Sequence, residues 1–215
     1  GEAADTLREH LNALRDWSLC FFDEKTDTFE VHALTREWLR QQGRPTEKER
    51  KALAHKAGAF FNEQGTELDV ELAIAYFELA EAWEDFANAS LRLQDHFQLR
   101  GFYQKAWALN QAVLEKAVEE RSKAWALFNC GAILTLFGQY KDALALYEQS
   151  LEIDQKLGDR QGEGATLGSI GQIHQARGDY DTALRYLQDS LKIQQEIGDR
   201  KGEGTTLNNL ATTAH

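Results

Sequence analysis

Several residues and segments that help to decide a protein's class are scarce or missing in this chain of 215 residues. There is one proline, Pro45, and no methionine, so we expect the sequence to be a piece of a longer protein. No apolar run approaches the roughly 20 residues that a membrane-spanning helix needs. Gly1 is not followed by the charged and then apolar stretch of a signal segment. These absences predict a soluble, cytoplasmic protein.

Cysteine is also scarce. Cys20 and Cys130 lie far apart in sequence, inside apolar runs, and neither has the Cys-x-x-Cys or Cys/His spacing of a metal site. This pattern argues against a disulfide framework and against zinc. We predict that both cysteines are small core residues and that the fragment holds no metal.

Positive charge is in deficit. The chain has 24 Lys and Arg residues against 35 Asp and Glu residues, which gives a formal net charge of −11. Nucleic acids and anionic membranes repel an acidic surface, so we expect neither as a partner. The excess is concentrated in residues 66–120, which carry 4 basic and 11 acidic groups. This segment either attracts a basic partner or is a solvated face.

The chain does contain an internal repeat. Three short segments recur at an offset of 40 residues: Gly138-Gln139-Tyr140 as Gly178-Asp179-Tyr180, Leu157-Gly158-Asp159-Arg160 as Ile197-Gly198-Asp199-Arg200, and Gly162-Glu163-Gly164 as Gly202-Glu203-Gly204. Apolar residues within a unit follow helical spacing, as in Ala143, Leu144, Tyr147 and Leu151. Each unit is therefore predicted to be two antiparallel helices.

The residues inside each unit resemble the tetratricopeptide repeat. In that family a first helix carries a large residue, an apolar-Gly pair and an aromatic, and a second helix carries a small Ala with an aromatic four residues on. Three copies resemble the pattern, the last of them cut short: Leu127, Cys130-Gly131, Leu134, Ala143 and Tyr147; Leu167, Ile170-Gly171, His174, Ala183 and Leu187; and Leu207, Leu210-Ala211 and Ala214. The period exceeds the usual value of about 34 residues. The repeat of this chain is similar to that of the long-repeat subgroup seen in kinesin light chains and bacterial signalling proteins.

The resemblance implies an all-α fold, a right-handed α-α superhelix in which paired helices stack into a solenoid. We predict that Gly131 and Gly171 let the neighbouring helix pack close to their backbone. Residues 121–215 form the regular repeats, and residues 46–120 form degenerate repeats that begin near Glu47. Three residues of a degenerate unit match the regular unit at an offset of 37: Tyr103 with Tyr140, Ala106 with Ala143 and Leu114 with Leu151.

Residues 1–45 follow a different pattern. Leu7, Leu11 and Leu14 indicate a helix, which is followed by a short apolar strand, a polar turn and a second strand over residues 29–32. Another helix is predicted over residues 34–42, and the break before the solenoid comes at Pro45. Helix, hairpin and helix in this order form the C-terminal part of a winged-helix domain.

The sequence from Phe29 to Leu39 resembles the end of the winged-helix domain in signal-transduction ATPases of the STAND class, where a Met-His-Asp or related motif precedes a helix. Only the histidine carries over, as His32, because Val31 and Ala33 replace the Met and the Asp. The resemblance implies that His32 contacts the phosphates of ADP in the full-length protein; the alternative is a half-buried histidine that is satisfied locally. This fragment has no P-loop, so we expect no cofactor in it. ADP or ATP would bind an upstream nucleotide-binding domain of the same protein.

The resemblance also implies that the first helices line a concave groove for a protein or peptide ligand. The residues expected to face this ligand are Trp125, Phe128, Asn129, Ser169, Gln172, Asn208 and Asn209. Trp125 and Phe128 would supply an apolar anchor, while Asn129, Ser169 and Asn209 would form a polar ladder for an extended backbone. The alternative is that the asparagines are ordinary surface residues and that Trp125 packs under the preceding repeat.

No motif in the sequence supports a catalytic function. The string Gly162-Glu163-Gly164 could cradle a phosphate, but it contains no Gly-Lys-Ser/Thr, follows no strand and occurs twice at the repeat period. We therefore predict a non-enzymatic sensor or scaffold in which a groove ligand controls an attached ATPase that oligomerises on activation. One alternative is a plain adaptor without a nucleotide cycle. The other is a DNA-binding regulator, against which residues 1–45 carry 6 basic and 9 acidic groups.

Overall fold

The computed structural model describes residues 20–23, 28–31 and 46–213. Residues 46–213 form nine α-helices: α1 Glu47–Gln64, α2 Glu67–Ala80, α3 Trp83–Leu99, α4 Tyr103–Lys116, α5 Glu120–Leu136, α6 Tyr140–Leu157, α7 Arg160–Ala176, α8 Tyr180–Ile197 and α9 Arg200–Thr213. The predicted helical-repeat solenoid is confirmed over this range. None of these helices is long and apolar enough to cross a membrane.

Two short strands precede the helices, β1 Cys20–Asp23 and β2 Thr28–Val31. They pair antiparallel, with Cys20 opposite Val31 and Asp23 opposite Thr28. The two helices predicted on either side, residue His32, the break at Pro45 and Ala214 all lie outside the described residues. An antiparallel hairpin occurs in many folds, so the winged-helix assignment stays a prediction.

Helices α5 and α6 show how each repeat is held together. Late in α6, Ser150 Oγ donates to the carbonyl of Ala124, early in α5, at 2.9 Å. Earlier in α6, the ring of Tyr147 lies against Gly131, later in α5. The two helices therefore run in opposite directions. The pair α7 and α8 repeats the bond, with Ser190 Oγ donating to the carbonyl of Gly164 at 2.7 Å.

The predicted close approach at Gly131 and Gly171 is confirmed. A Cβ on Gly131 would lie 2.8 Å from Cε1 of Tyr147, and a Cβ on Gly171 would lie 2.8 Å from Cγ of Leu187. Tyr147 and Leu187 are both buried. The small residue on the first helix is what lets these side chains of the second helix reach its backbone.

The first helices of successive repeats, α3, α5, α7 and α9, each contact the next one in order and so form one continuous face. The core lies between this face and the second helices. One buried cluster extends from α1 to α5 and includes Phe77, Phe86 and Phe97. A second cluster surrounds Tyr147 and Ile170 across α5 to α8.

The Gly-Asp-Arg string at each repeat exit is explained by helix capping. Gly158 ends α6 in the left-handed region, with φ of 68°. Asp159 then caps α7, because its Oδ1 accepts the backbone N–H of Gly162 at 3.0 Å. Arg160 joins the two helices of its own repeat through an ion pair with Glu196 of α8, Nη2 to Oε2 2.6 Å. The same arrangement recurs 40 residues on: Gly198 ends α8 in the left-handed region, and Asp199 caps α9 by accepting the backbone N–H of Gly202.

Much of the acidic excess in residues 66–120 is paired within the solenoid. Four carboxylates form ion pairs with a lysine or arginine distant in sequence: Glu67 with Arg100, Glu71 with Lys105, Glu78 with Lys116, and Glu81 with Lys51. Glu67 also contacts His96, and Asp85 contacts His55; these two contacts become ion pairs when the histidine is protonated. These are surface pairs, each of which contributes little to stability. They leave less of this segment free for a basic partner than the sequence alone indicated.

Cys130 is the small core residue that the sequence predicted. Its side chain is fully buried in α5. Burial raises the pKa of its thiol to about 11, although Nε2 of Gln111 lies 3.6 Å from Sγ. A thiol in this state is not a reactive nucleophile at neutral pH. The side chain of Cys20 lies outside the described residues.

Candidate functional site

A cleft of about 340 Å³ opens on the face of the first helices, where α3, α5 and α7 meet. We call it the α5–α7 cleft. Its lining includes two aromatic residues, three carboxylates, one arginine and three hydroxyl residues: Trp125, Phe128, Glu119, Asp154, Asp159, Arg121, Ser122, Ser150 and Thr166. Asn88 and Leu91 of α3 complete one side. The cleft therefore has an apolar wall, formed by Trp125 and Phe128, and a polar floor, formed by Asp154 and Thr166.

The apolar wall is a stacked aromatic pair. The rings of Trp125 and Phe128 have centroids 5.7 Å apart and an interplanar angle of 22°. Phe128 in turn packs against Tyr147, with centroids 5.5 Å apart. Trp125 remains 42% exposed despite this stack. The core thus fixes the position of the pair, while the indole stays open to a ligand.

The floor of the cleft contains a buried carboxyl group. Asp154 is 5% exposed, and its burial raises the pKa of the carboxyl to about 6. The negative charges of Asp159 and Glu163 raise this pKa further, while the hydroxyl of Ser150 partly offsets the rise. The formal charges that act on Asp154 are thus negative, like its own.

Thr166 lies beside this carboxyl group and is fully buried. Its hydroxyl is close enough to favour the ionised form of Asp154. Within the described residues, however, Oγ1 completes no hydrogen bond. A buried hydroxyl without a partner costs free energy, so the floor presents polar groups whose bonding capacity is not used.

Arg121 is the basic residue in the lining. Its Nε lies 3.5 Å from Oδ2 of Asp159, and its side chain is 71% exposed. This arginine is therefore at the mouth of the cleft, paired with Asp159 and not with Asp154. Asp159 is held in turn by its capping bond to Gly162.

The equivalent positions one repeat later lack the two aromatic residues and the buried carboxylate of the cleft. Forty residues on, Ala165 stands at the position of Trp125, Gly168 at that of Phe128 and Gln194 at that of Asp154. The scaffold is kept: Ser190, Asp199, Gly202 and Thr206 occupy the positions of Ser150, Asp159, Gly162 and Thr166. The buried carboxylate and the aromatic wall are thus particular to the α5–α7 cleft.

The residues predicted to face a ligand fall into two groups. Trp125 and Phe128 line the α5–α7 cleft. The other predicted residues lie outside its lining: Asn129, Ser169, Gln172, Asn208 and Asn209. Asn129 is 5% exposed, and its Nδ2 has no hydrogen-bond partner within the described residues. Ser169 Oγ donates to the carbonyl of Ala165 in its own helix at 3.1 Å.

The remaining amides are more open. Gln172 and Asn208 are exposed, and Asn209 is half-buried. The backbone carbonyl of Asn209 accepts from the hydroxyl of Thr213 at 2.7 Å. The proposed amide ladder stays a prediction, and the ligand role of His32 stays one too, since that residue lies outside the described residues.

Sequence reasoning missed Asp154 and Thr166. The signal for Asp154 was its position: it follows Tyr147, Ser150 and Leu151 at helical spacing, on the stripe that the apolar residues occupy. A charged residue on a core stripe is unusual. Thr166 gave no such signal, because a threonine fits both buried and exposed helix positions.

Comparisons with known proteins agree with this architecture. The family model of the tetratricopeptide repeat matches residues 78–156 and 162–215. The crystal structure of BtubC (BKLC) from P. vanneervenii is similar, with a TM-score of 0.56 and 14% identity over 79% of this chain and 83% of that one. Aspartyl phosphate phosphatase F from Bacillus subtilis has a TM-score of 0.51 and 16% identity over 90% of this chain and 51% of that one.

A search of curated proteins gave no match. The two structural likenesses show the fold alone, since their identities are low. The family match covers more than half of the chain and agrees with the stacked helix pairs, the close-approach glycines and the face formed by the first helices. The chain belongs to the tetratricopeptide repeat family.

Proposed function

We propose that this chain is a non-enzymatic protein-binding module whose face of first helices holds an extended peptide segment of its partner. Helical-repeat solenoids use extended surfaces of this kind for binding. The observation that carries the proposal is the α5–α7 cleft, where the half-exposed Trp125 stands beside a buried polar floor. Tryptophan is among the residue types that are enriched in interface hot spots.

Within this function, we assign the chain to the sensor part of a STAND-like signal-transduction ATPase. The support is the sequence around His32, together with the hairpin formed by β1 and β2. In this mechanism the bound ligand shifts an attached nucleotide switch between a closed ADP state and an open, oligomerising state. An adaptor that tethers a partner without a nucleotide cycle is equally compatible with the fold and the family. A P-loop domain encoded directly upstream of Gly1 in the intact gene would favour the sensor, and an upstream region without one would favour the adaptor.

The binding function can be tested with displayed peptides. A library of random linear peptides is selected on the immobilised chain, and the affinities of the recovered peptides are measured by fluorescence polarisation. We expect Trp125→Ala to weaken binding at least tenfold, because it removes the anchor. Tyr180→Ala is the matched control, since Tyr180 is an aromatic residue of similar exposure on a second helix, outside the lining of the cleft.

Two results would count against the proposal. If selection returned no peptide that binds the chain, the solenoid face would not be a peptide site. If the recovered peptides bound Trp125→Ala and the wild type equally well, the binding site would lie elsewhere on the chain.

A further inference from the structure

The charged residues that line the α5–α7 cleft indicate which kind of ligand group it would bind. Glu119, Asp154 and Asp159 line it against a single arginine, Arg121, which is already paired with Asp159. Asp154 lies on the floor close enough to Asp159 to be affected by its charge, and the charged groups that act on Asp154 include no cation. A buried carboxylate without a cation pays a desolvation penalty that no attraction offsets. A ligand that brings a positive charge to Asp154 would relieve this penalty.

A second feature points to a ligand independently of charge. Thr166 is fully buried, lines the same cleft, and its Oγ1 makes no hydrogen bond within the described residues. Buried hydroxyl groups almost always have a partner in native proteins. The floor therefore offers two kinds of oxygen, a carboxylate and the neighbouring hydroxyl, whose hydrogen-bond geometry is incomplete, to a group that carries several N–H donors.

The aromatic wall of the cleft favours a guanidinium group over an ammonium group. Trp125 and Phe128 present stacked aromatic surfaces immediately beside this floor. A guanidinium group is planar, stacks on aromatic faces and carries five donors, whereas an ammonium group is compact and more strongly hydrated. A planar cation with several donors therefore matches the wall and the floor together.

We propose that the α5–α7 cleft is a pocket for one arginine side chain of the bound peptide, with the guanidinium paired to Asp154, within reach of Thr166 Oγ1, and stacked on Trp125. This inference rests on the proposed function, because it names the side chain by which the partner is recognised. The corresponding positions one repeat later, with Gln194, Ala165 and Gly168, lack the charge and the wall. The pocket thus sets the register of the peptide on the solenoid.

The test uses the peptides recovered by selection on the wild-type chain. We expect them to be enriched in arginine. The tightest peptide is then resynthesised with its arginine replaced by citrulline, which keeps the shape and removes the charge, and by lysine. Citrulline should weaken binding to the wild type at least tenfold, and lysine should weaken it at least threefold.

The chain variants complete a double-mutant cycle. Asp154→Gln places at the floor the residue that the next repeat carries at Gln194. This substitution should lower the affinity for the arginine peptide at least tenfold. The arginine and citrulline peptides should then bind the variant with the same affinity. Gln194→Asp is the matched control, because it adds a carboxylate where the aromatic wall is missing, and it should leave the affinity of the arginine peptide unchanged. Thermal unfolding followed by circular dichroism checks that each variant is folded.

The outcomes separate this inference from the proposed function. Peptides that depend on Trp125 but bind Asp154→Gln and the wild type equally would overturn the arginine pocket and leave the peptide-binding function intact. Equal affinity for arginine and lysine would overturn the assignment of a guanidinium. Peptides that do not depend on Trp125 at all would overturn both proposals.

Discussion

The carboxyl group of Asp154, near the end of α6, lies against the backbone of Gly162 in the first turn of α7. A Cβ on Gly162 would lie 2.7 Å from Oδ2 of Asp154. The contact explains the first glycine of the first Gly-Glu-Gly string, since the buried carboxyl group occupies the space that a side chain at Gly162 would need. The N–H of Gly162 is already bonded to Asp159. Both facts favour a repeat connector over a phosphate cradle.

Gly162→Ala should show this contact in solution. An alanine in place of a helical glycine normally stabilises a helix by about 1 kcal/mol, but here the new methyl group must displace the carboxyl group of Asp154. We expect no net gain in the free energy of unfolding by urea. The control is Gly204→Ala in α9, where a Cβ meets nothing within 4 Å, and which should gain about 0.5–1 kcal/mol. An equal gain in both variants would show that the carboxyl group is not confined.

Gly131→Ala should destabilise the solenoid. The added methyl group would lie 2.8 Å from Cε1 of the buried Tyr147, so α5 and α6 would have to move apart. Forcing an extra carbon into a packed core costs about 1–3 kcal/mol. Urea unfolding measures the change, again with Gly204→Ala as the control. A neutral effect of Gly131→Ala would mean that the two helices approach less closely than described.

Ser190→Ala should remove a bond that holds the second helix of a repeat to the first. The hydroxyl is fully buried and donates to the carbonyl of Gly164 in α7 at 2.7 Å. Losing such a bond costs about 1 kcal/mol. The control is Thr205→Ala, because the exposed hydroxyl of Thr205 donates to the carbonyl of Lys201 within α9, and its loss should cost less. Equal unfolding free energies for the two variants would contradict a role of Ser190 in joining the helices.

Asp154→Asn should stabilise the chain at neutral pH. The folded-state pKa of Asp154 is raised to about 6 from 3.8, so the ionised form is disfavoured in the folded chain. The contribution of Asp154 to stability therefore falls as pH rises from about 4 to about 6 and stays low above that. A shift of this size corresponds to roughly 2–3 kcal/mol. We expect the melting temperature of Asp154→Asn to exceed that of the wild type at pH 7 and to equal it near pH 4.

Asp189→Asn serves as the control for removing one charge, since Asp189 is an exposed residue of α8. Its melting temperature should follow that of the wild type at both pH values. If Asp154→Asn were no more stable than the wild type at pH 7, the carboxyl group would have to be solvated or paired with a cation.

Binding of an arginine peptide should weaken at acid pH. Arginine stays charged throughout, whereas Asp154 takes up a proton as pH falls below its pKa of about 6. The charged groups that act on it are Asp159, which caps α7, and Glu163 of α7; Arg121 of α5 lines the same cleft but is paired with Asp159. We expect the affinity at pH 5 to be several-fold lower than at pH 7.5, and the affinity of Asp154→Gln to stay flat. A flat profile for the wild type would contradict pairing with Asp154.

The repeat architecture could be predicted from the sequence because its determinants are local and recur. The apolar spacing around Tyr147 and the glycines at Gly131 and Gly171 each describe one helix or one helix pair. Any unit with this spacing buries the same stripe against its neighbours. The anchor residues Trp125 and Phe128 followed from the same register.

The floor of the cleft was not predictable in this way. The sequence placed Asn129 and Asn209 in a ligand-facing ladder, and the structure buries Asn129. It gave no role to Asp154, because a carboxylate in a helix is usually solvated. Whether such a residue is buried depends on how α6 sits between α5 and α7, and spacing within one helix does not contain that information.

The sequence by itself determined the helix pairs, their period and the small residues that let them pack, since each of these depends on neighbours within a single repeat. Only the tertiary structure decided that Trp125, Asp154 and Thr166 share one cleft. They come from three different helices of two repeats, and the stacking of one repeat on the next is what brings a carboxylate, a buried hydroxyl and an indole together.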